Sequence, residues 1–237
     1  MSHLPDRNDK DEPPFSDITP GVITRLAPLR RQPGRFSVEI DGRSGLTLAE
    51  EVLQRSGWHV GDVVDADALA AIADQDTLAR ATESALVYLA YRPRTEQEVR
   101  TRLRRAGHTP GIIAQVMTKL HEWRYLDDAD FARRWVENRT AQKPRGKRLL
   151  QQELRQKGVA AETAREVIAG AEVDEAAAAE ALARKRLASY AGEDPQAVRR
   201  KLSAYLARRG YGYDVVRGAI ERVLGEDEAD DPLDDAH

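Results

Sequence analysis

The chain has 237 residues, of which 32% are charged, 5% are aromatic and none is cysteine. The lack of cysteine excludes a disulfide scaffold and a thiolate metal site, and no apolar run reaches the roughly 18 residues of a membrane span, so we expect a cytoplasmic protein. The formal net charge is −3, but residues 95–158 hold fifteen Lys and Arg against eight Asp and Glu, a local charge of +7.

The first elements along the chain predict a small α/β module behind a polar tail. Residues 1–20 contain four prolines and few apolar residues, so we expect them to be disordered. Residues 21–76 should form the module, because short β-branched runs on both sides of the turn RQPG predict a pair of strands. The segment LTLAEEVLQRSG predicts a helix over 46–57, with Thr47 as its N-cap and Gly57 just past its last turn.

From about residue 77 to residue 224 the apolar spacing is helical, and one pattern occurs three times. The segments VRTRLRRAG, LQQELRQKG and LSAYLARRG each place two apolar residues four positions apart and a glycine four positions later. This pattern predicts a helix whose core face ends at a glycine in the left-handed conformation. The three glycines are Gly107, Gly158 and Gly210, and a further helical pattern lies on each side of every segment.

These patterns predict a mainly α fold of three tandem three-helix repeats, each similar to a helix-turn-helix, in an elongated array that follows the module with its short β-strands. The predicted repeats cover residues 77–126, 127–173 and 174–224. An acidic tail at 225–237 follows them, with seven acids and no Lys or Arg. Such a tail can shield a basic surface.

Three aspartates crowd the start of the second repeat, in the stretch YLDDADFARRW. Asp127, Asp128 and Asp130 can cap the free N–H groups of a helix and oppose its dipole, or they can hold metal ions for a nuclease. We expect capping, because no second acidic cluster and no histidine spacing accompany them. Phe131 and Trp135 follow four positions apart and are expected in the core. We therefore predict no catalytic residue, no metal and no cofactor.

The basic middle of the chain allows two interpretations: a solvated, arginine-rich helical surface, or a face that binds a polyanion. Under the second, the outer faces of the helices and the basic link NRTAQKPRGKR would contact phosphates, and binding would depend strongly on salt and weakly on sequence. The residues alone do not decide which polyanion such a face would bind. The candidate binding residues are Arg100, Arg104, Arg105, Arg133, Arg134, Arg139, Lys143, Arg145, Lys147, Arg148, Arg155 and Lys157.

Three of these segments also carry a family resemblance. In order, ALVYLAYRPRTEQEVRTRLRRAG, YLDDADFARRWVENR and RGKRLLQQELRQKGV resemble the successive signatures of the RecX family of recombination regulators. The resemblance is strongest over residues 83–159 and extends more weakly to about 224, where the third repeat lacks the LDD-F motif. The segment around 46–62 is similar to the part that precedes the repeats in some members.

The resemblance implies a non-enzymatic regulator of the RecA recombinase, active in DNA repair, recombination and the SOS response. Members consist of three three-helix repeats that bind along the filament of RecA and single-stranded DNA. They inhibit its ATPase, strand-exchange and co-protease activities, and some bind DNA themselves. The resemblance thus implies single-stranded DNA as the expected nucleic-acid ligand, with double-stranded DNA as a further candidate.

Two other functions remain alternatives at this point. A stand-alone helix-turn-helix protein or transcription regulator would need a polar recognition helix, whereas HTPGIIAQVMTKL is largely apolar. A nuclease would need Asp127 and Asp128 to bind magnesium. A monomer is the simplest oligomeric state.

Overall fold

The structure, a computed structural model, describes residues 18–171 and 173–225. The predicted disordered tail, except for its last three residues, and the predicted acidic tail, except for its first residue, lie outside the described residues. No helix in the described part is long and apolar enough to cross a bilayer.

Four strands and ten α-helices make up the described part of the chain. The strands are β1 (Gly21–Pro28), β2 (Arg35–Ile40), β3 (Arg43–Ala49) and β4 (Val63–Val64). The helices are α1 (Glu50–Ser56), α2 (Ala66–Ala90), α3 (Glu96–Arg105), α4 (Pro110–Glu122), α5 (Asp128–Gln142), α6 (Lys147–Gln156), α7 (Ala161–Gly170), α8 (Glu175–Leu187), α9 (Pro195–Arg208) and α10 (Tyr213–Leu224). The mainly α fold with a small strand-containing module is confirmed.

The described residues group into two compact units. The first unit holds residues 18–91 and 102–122, and the second holds 92–101 and the described residues from 123 onward. The division falls inside α3, whose first turns belong to the second unit.

The module forms an antiparallel sheet of four strands in the order β3-β2-β1-β4, whereas the sequence predicted only two strands. The helix expected over 46–57 begins later than predicted, because β3 continues to Ala49 and α1 starts at Glu50. The side chains of Leu46 and Leu48 are 2% and 0% exposed. Burial of every second residue is typical of a strand. Thr47 is therefore a strand residue and not an N-cap, whereas Gly57 does end the helix at φ 68°.

A buried carboxylate joins α2 to this sheet. Asp76 is fully buried and accepts hydrogen bonds from the Ala49 N–H (2.7 Å), Arg35 Nη2 (2.9 Å) and Arg80 Nε (2.6 Å). The predicted boundary between module and first repeat, at 76/77, thus lies inside one continuous helix that also packs on α4. The outer boundaries of the repeats stay predictions.

The apolar pattern of the repeats corresponds to buried side chains. The paired apolar residues of the three segments are all fully buried: Val99, Leu103, Leu150, Leu154, Leu202 and Leu206. The three glycines that follow them have φ between 86° and 89°, as predicted. In the second unit α5–α7 and α8–α10 each enclose their own core, and Phe131 belongs to the former, with Trp135 packed against it.

Candidate nucleic-acid interface

The three aspartates at the start of α5 have separate structural roles. The Asp127 carboxylate accepts the Asp130 N–H at 2.8 Å and caps α5, as predicted. Asp128 instead accepts the N–H of Glu96, the first residue of α3, at 2.9 Å. Asp130 pairs with Arg134 at 2.7 Å. No group of three His, Cys, Asp or Glu side chains arranged to hold a metal ion occurs among the described residues.

The bond from Asp128 to α3 has a counterpart one repeat later. Glu175, at the start of α8, accepts the N–H of Lys147, the first residue of α6, at 2.8 Å. In both places an acid from the first helix of one repeat binds the free N–H at the start of the second helix of the repeat before it. This favours the charge of the acid, because a helix N-terminus carries partial positive charge.

Two of the three repeated glycines, Gly158 and Gly210, lie where consecutive second helices meet end to end. A Cβ on Gly158 would lie 2.3 Å from Gln97 Cβ, and one on Gly210 would lie 2.3 Å from Leu149 Cβ. The Thr95 hydroxyl donates to the Lys157 carbonyl at 2.6 Å. The C-terminus of α6 therefore abuts the N-terminus of α3. In the same way, the C-terminus of α9 abuts the N-terminus of α6. The opposed dipole ends attract each other.

Thr95 was not predicted as a functional or structural residue, although its signal is present in the sequence. It is fully buried, and its hydroxyl accepts the Glu98 N–H at 3.2 Å. The stretch TEQE is the Thr-x-x-Glu pattern of a capping box, which marks the start of α3.

Glu98 forms ion pairs with cations from two parts of the second unit. Arg92 Nη2 and Lys157 Nζ each lie 3.2 Å from Glu98 Oε1. Burial opposes the charged carboxylate, but the hydrogen bonds from Arg92 and Lys157 outweigh it and lower the pKa of Glu98 below its ordinary value.

Protonation of Glu98 at acidic pH should lower the free energy of unfolding of the second unit. Because the pKa of Glu98 is lowered in the folded state, its contribution is complete above the unfolded value of about 4.3 and is lost as pH falls through the folded pKa. The urea midpoint of the second unit should therefore fall less between about pH 5 and pH 3 in Glu98→Gln than in the parent. The matched control is Glu137→Gln, an exposed acid on α5. Equal pH profiles for both variants would refute this role.

A half-buried ionic cluster occupies the second repeat. Glu153 is 8% exposed and accepts Trp135 Nε1 at 2.9 Å and Arg139 Nε at 3.1 Å, while Arg145 pairs with its other oxygen. The guanidinium of Arg139 also lies 4.3 Å from the Trp135 ring centre. Trp135 is thus held by core and cluster together, stacked on Phe131 at 5.9 Å.

Most of the predicted binding cations have acidic partners within the fold. Arg139 and Arg145 share Glu153. The other pairs are Arg100 with Glu96 (2.6 Å), Arg133 with Asp130 (3.5 Å), Arg134 with Asp130 (2.7 Å), Lys147 with Glu175 (4.0 Å) and Lys157 with Glu98 (3.2 Å). The list of candidate cations therefore overstates how many side chains are open to a ligand, although the net charge of +7 already includes most of their acidic partners.

Four predicted cations make no ion pair with any described residue. Arg105, Lys143, Arg148 and Arg155 are all exposed. Arg148 and Arg155 lie seven positions apart on α6, so they share one face of that helix. Arg104 is exposed as well. These side chains are the part of the predicted surface best placed to meet a polyanion.

The third repeat contains a cation–aromatic cluster that the sequence analysis missed. Arg186 lies 5.4 Å from the Tyr190 ring centre and 5.7 Å from that of Tyr205. Lys201 lies 5.3 Å from the Tyr190 ring centre, and Arg209 lies 5.0 Å from that of Tyr205. A four-residue spacing is the signal for two of these contacts, Arg186 with Tyr190 and Arg209 with Tyr205, whereas the other two join segments that are distant in sequence.

Comparison with known proteins gives the relationship of the chain. The family models for the first, second and third three-helix domains of RecX match residues 81–120, 127–168 and 172–220. A "Regulatory protein RecX" of a Geobacillus species is 31% identical over 209 residues, which cover 86% of this chain and 76% of that protein. The chain belongs to the RecX family.

Other members of the RecX family agree with this placement in sequence and in fold. A "Regulatory protein RecX" of Clostridium botulinum is 27% identical over 205 residues, covering 85% of this chain and 96% of that protein. A crystal structure of regulatory protein RecX matches with a TM-score of 0.71 and 26% identity, over 83% of this chain and 97% of the other. RecX from Lactobacillus salivarius, at 22% identity and a TM-score of 0.60 over 63% of this chain and 98% of the other, supports the fold alone.

Proposed function

We propose that this protein is a negative regulator of the RecA recombinase that acts in DNA repair, recombination and the SOS response. It binds the filament of RecA and single-stranded DNA and lowers its ATPase, strand-exchange and co-protease activities. The observation that carries the proposal is the match of three RecX domains in order along the chain, together with relatives that are named regulatory proteins.

The proposed regulator acts by binding and not by catalysis, as a cytoplasmic monomer without a cofactor. The use of the α5 acids supports a non-enzymatic role. Asp127 and Asp128 accept backbone N–H groups and Asp130 pairs with Arg134, so the carboxylates that a nuclease would need for metal are engaged in the fold.

The binding surface in this proposal includes the exposed cations of the second repeat. Lys143, Arg148 and Arg155 have no acidic partner among the described residues. Their full positive charge is therefore available to attract a phosphate or an acidic protein surface. Contacts of this kind contribute little sequence specificity and weaken with salt. The seven predicted cations that pair with acids can contribute only in competition with those partners.

Charge reversal at these three positions should weaken the regulator without unfolding it. We expect Lys143→Glu with Arg148→Glu and Arg155→Glu to raise the concentration needed to inhibit the DNA-dependent ATPase of the cognate RecA by about tenfold or more, since three like charges would oppose a polyanion. The matched control reverses Arg30, Arg31 and Arg55, which are exposed cations of the first unit, with the same change in net charge.

The same assay distinguishes the functions. Inhibition by the parent protein and by the control, but not by the triple variant, supports the proposal. If the parent leaves the ATPase unchanged while still binding DNA, the protein is a stand-alone DNA-binding protein. If the control loses as much inhibition as the triple variant, the surface is assigned wrongly and only net charge matters.

A further inference from the structure

The cation–aromatic cluster of the third repeat has more positive charge than the fold uses. Its cations are Arg186, Lys201 and Arg209, and within the described ranges Glu193 pairs with one of them, at 2.5 Å from Lys201 Nζ. Arg186 donates to the Tyr190 hydroxyl at 3.1 Å, which fixes the guanidinium beside the ring without cancelling its charge.

The two tyrosines are anchored from one side and bordered by cations on the other. Tyr190 and Tyr205 are half-buried and pack against the core of α8–α10. Arginine stacks on aromatic faces, and a guanidinium held over a ring keeps a second planar face for another flat group. Nucleobases stack on both aromatic side chains and guanidinium planes. The cluster therefore offers consecutive flat surfaces with positive charge between them.

This cluster continues into the basic link of the second repeat. Arg209 Nη1 donates to the Pro144 carbonyl at 3.5 Å, which brings the cluster beside Lys143 and Arg145. Burial and the charges of Arg139 and Arg209 lower the pKa of Arg145 from its ordinary value, as expected where guanidinium groups crowd together. Glu153 is the carboxylate shared by Arg139 and Arg145, so this junction keeps a net positive charge.

We propose that the junction of the second and third repeats binds single-stranded nucleic acid, with phosphates at Lys143 and Arg209 and bases stacked on the surface formed by Tyr205, Arg186 and Tyr190. Double-stranded DNA does not fit the second half of this site, because its bases are already stacked on each other. The inference deepens the proposed function by giving the strand a place on this chain, but its test needs no RecA.

The test measures binding of a fluorescent oligothymidylate by the full chain, beside an abasic strand of equal length. The parent should prefer the oligothymidylate, since only that strand can stack. Tyr190→Leu with Tyr205→Leu should weaken oligothymidylate binding about tenfold and abolish the preference, because stacking on an aromatic side chain contributes strongly for each base. Tyr190→Phe with Tyr205→Phe keeps both rings and should keep the preference.

A second pair of variants tests the charges and does not depend on the core. Arg186→Gln with Arg209→Gln should weaken binding to both strands and flatten the salt dependence. The matched control is Arg199→Gln with Arg200→Gln, which removes two cations from another part of α9. Circular dichroism confirms folding of each variant. If the leucine variant loses its fold, the phenylalanine and glutamine variants still decide the question.

Two outcomes would overturn the site. One is equal affinity of the parent for the oligothymidylate and the abasic strand. The other is an equal loss of affinity in the Arg186/Arg209 and Arg199/Arg200 variants. The two proposals also fail separately: a parent that binds the strand as described but does not affect the RecA ATPase refutes the regulator and leaves this site standing. A parent that inhibits RecA but shows no stacking preference refutes only the site.

Discussion

Replacing Gly210 by alanine should destabilise the second unit by about 2–5 kcal/mol. A left-handed backbone costs a residue with a Cβ about 1–2 kcal/mol, and Gly210 has φ 86°. The added Cβ would also lie 2.3 Å from Leu149 Cβ and 2.5 Å from Leu149 N, and overpacking of this kind costs about 1–3 kcal/mol. Urea unfolding followed by circular dichroism gives the free energy of unfolding directly.

Two other glycines of the same unit separate the two causes. Gly192 has φ 81° with open space around a Cβ, so Gly192→Ala should lose only the conformational cost of about 1–2 kcal/mol. Gly146 has φ −70°, which alanine adopts freely, but its Cβ would lie 2.2 Å from the Gly210 carbonyl oxygen. Gly146→Ala should therefore show the steric cost of about 1–3 kcal/mol alone.

The comparison of these three variants decides whether the second and third repeats meet at this glycine. A loss in Gly210→Ala that exceeds the loss in Gly192→Ala is the signature of the contact with Leu149. If both variants lose the same stability, and Gly146→Ala loses none, the helices do not abut and the glycine serves only to end α9.

The repeated glycines show how far the sequence predicts this fold. Spacing alone identifies Gly158 and Gly210 as left-handed residues, because a core stripe that stops at glycine is a local signal. The second reason for these glycines, the approach of Gln97 and Leu149 from the neighbouring repeat, is not local. A residue tens of positions away leaves no mark in the pattern around the glycine, so the contact between repeats could not be predicted.

The start of α1 was predicted wrongly for a related reason. Leu46, Leu48, Val52 and Leu53 are buried, and a strand followed by a helix gives much the same apolar pattern as one longer helix. Strand pairing decides between the two, because β3 forms the hydrogen bonds of an antiparallel sheet with β2 from Arg43 to Ala49. Tertiary hydrogen bonds of the sheet override the helical tendency of the segment.

The sequence analysis counted the charges of the second repeat correctly, but it did not predict which of the cations are available to a ligand. The list of candidate binding residues treats Arg139 and Arg145 as open cations, whereas one buried carboxylate binds both. The sequence does contain the signal, because Glu153 directly precedes Leu154 and lies three positions after Leu150 on the core side of α6. An acid in a core stripe requires a cationic partner, and in the structure Arg139 and Arg145 of the preceding link are those partners.

Glu153 should consequently be one of the most sensitive polar positions of the chain. Glu153→Gln keeps the shape of the side chain but leaves Arg139 and Arg145 without a carboxylate. Breaking a buried ion pair costs about 3–5 kcal/mol, and we expect about 3 kcal/mol here because both arginine side chains remain about one quarter exposed. The free energy of unfolding in urea, at low and at high salt, measures this loss.

The reciprocal variant supplies the control. Arg145→Gln leaves Glu153 bound to Arg139 and Trp135, so it should lose clearly less stability than Glu153→Gln. High salt should recover part of the loss in Glu153→Gln, since screening weakens the repulsion between the freed guanidinium groups. The folded Glu153→Gln protein should also bind an oligonucleotide more tightly than the parent, because the same arginines become available to phosphate. Equal losses of stability in the two variants, with unchanged binding, would mean that Glu153 acts by packing and not by neutralising this cluster.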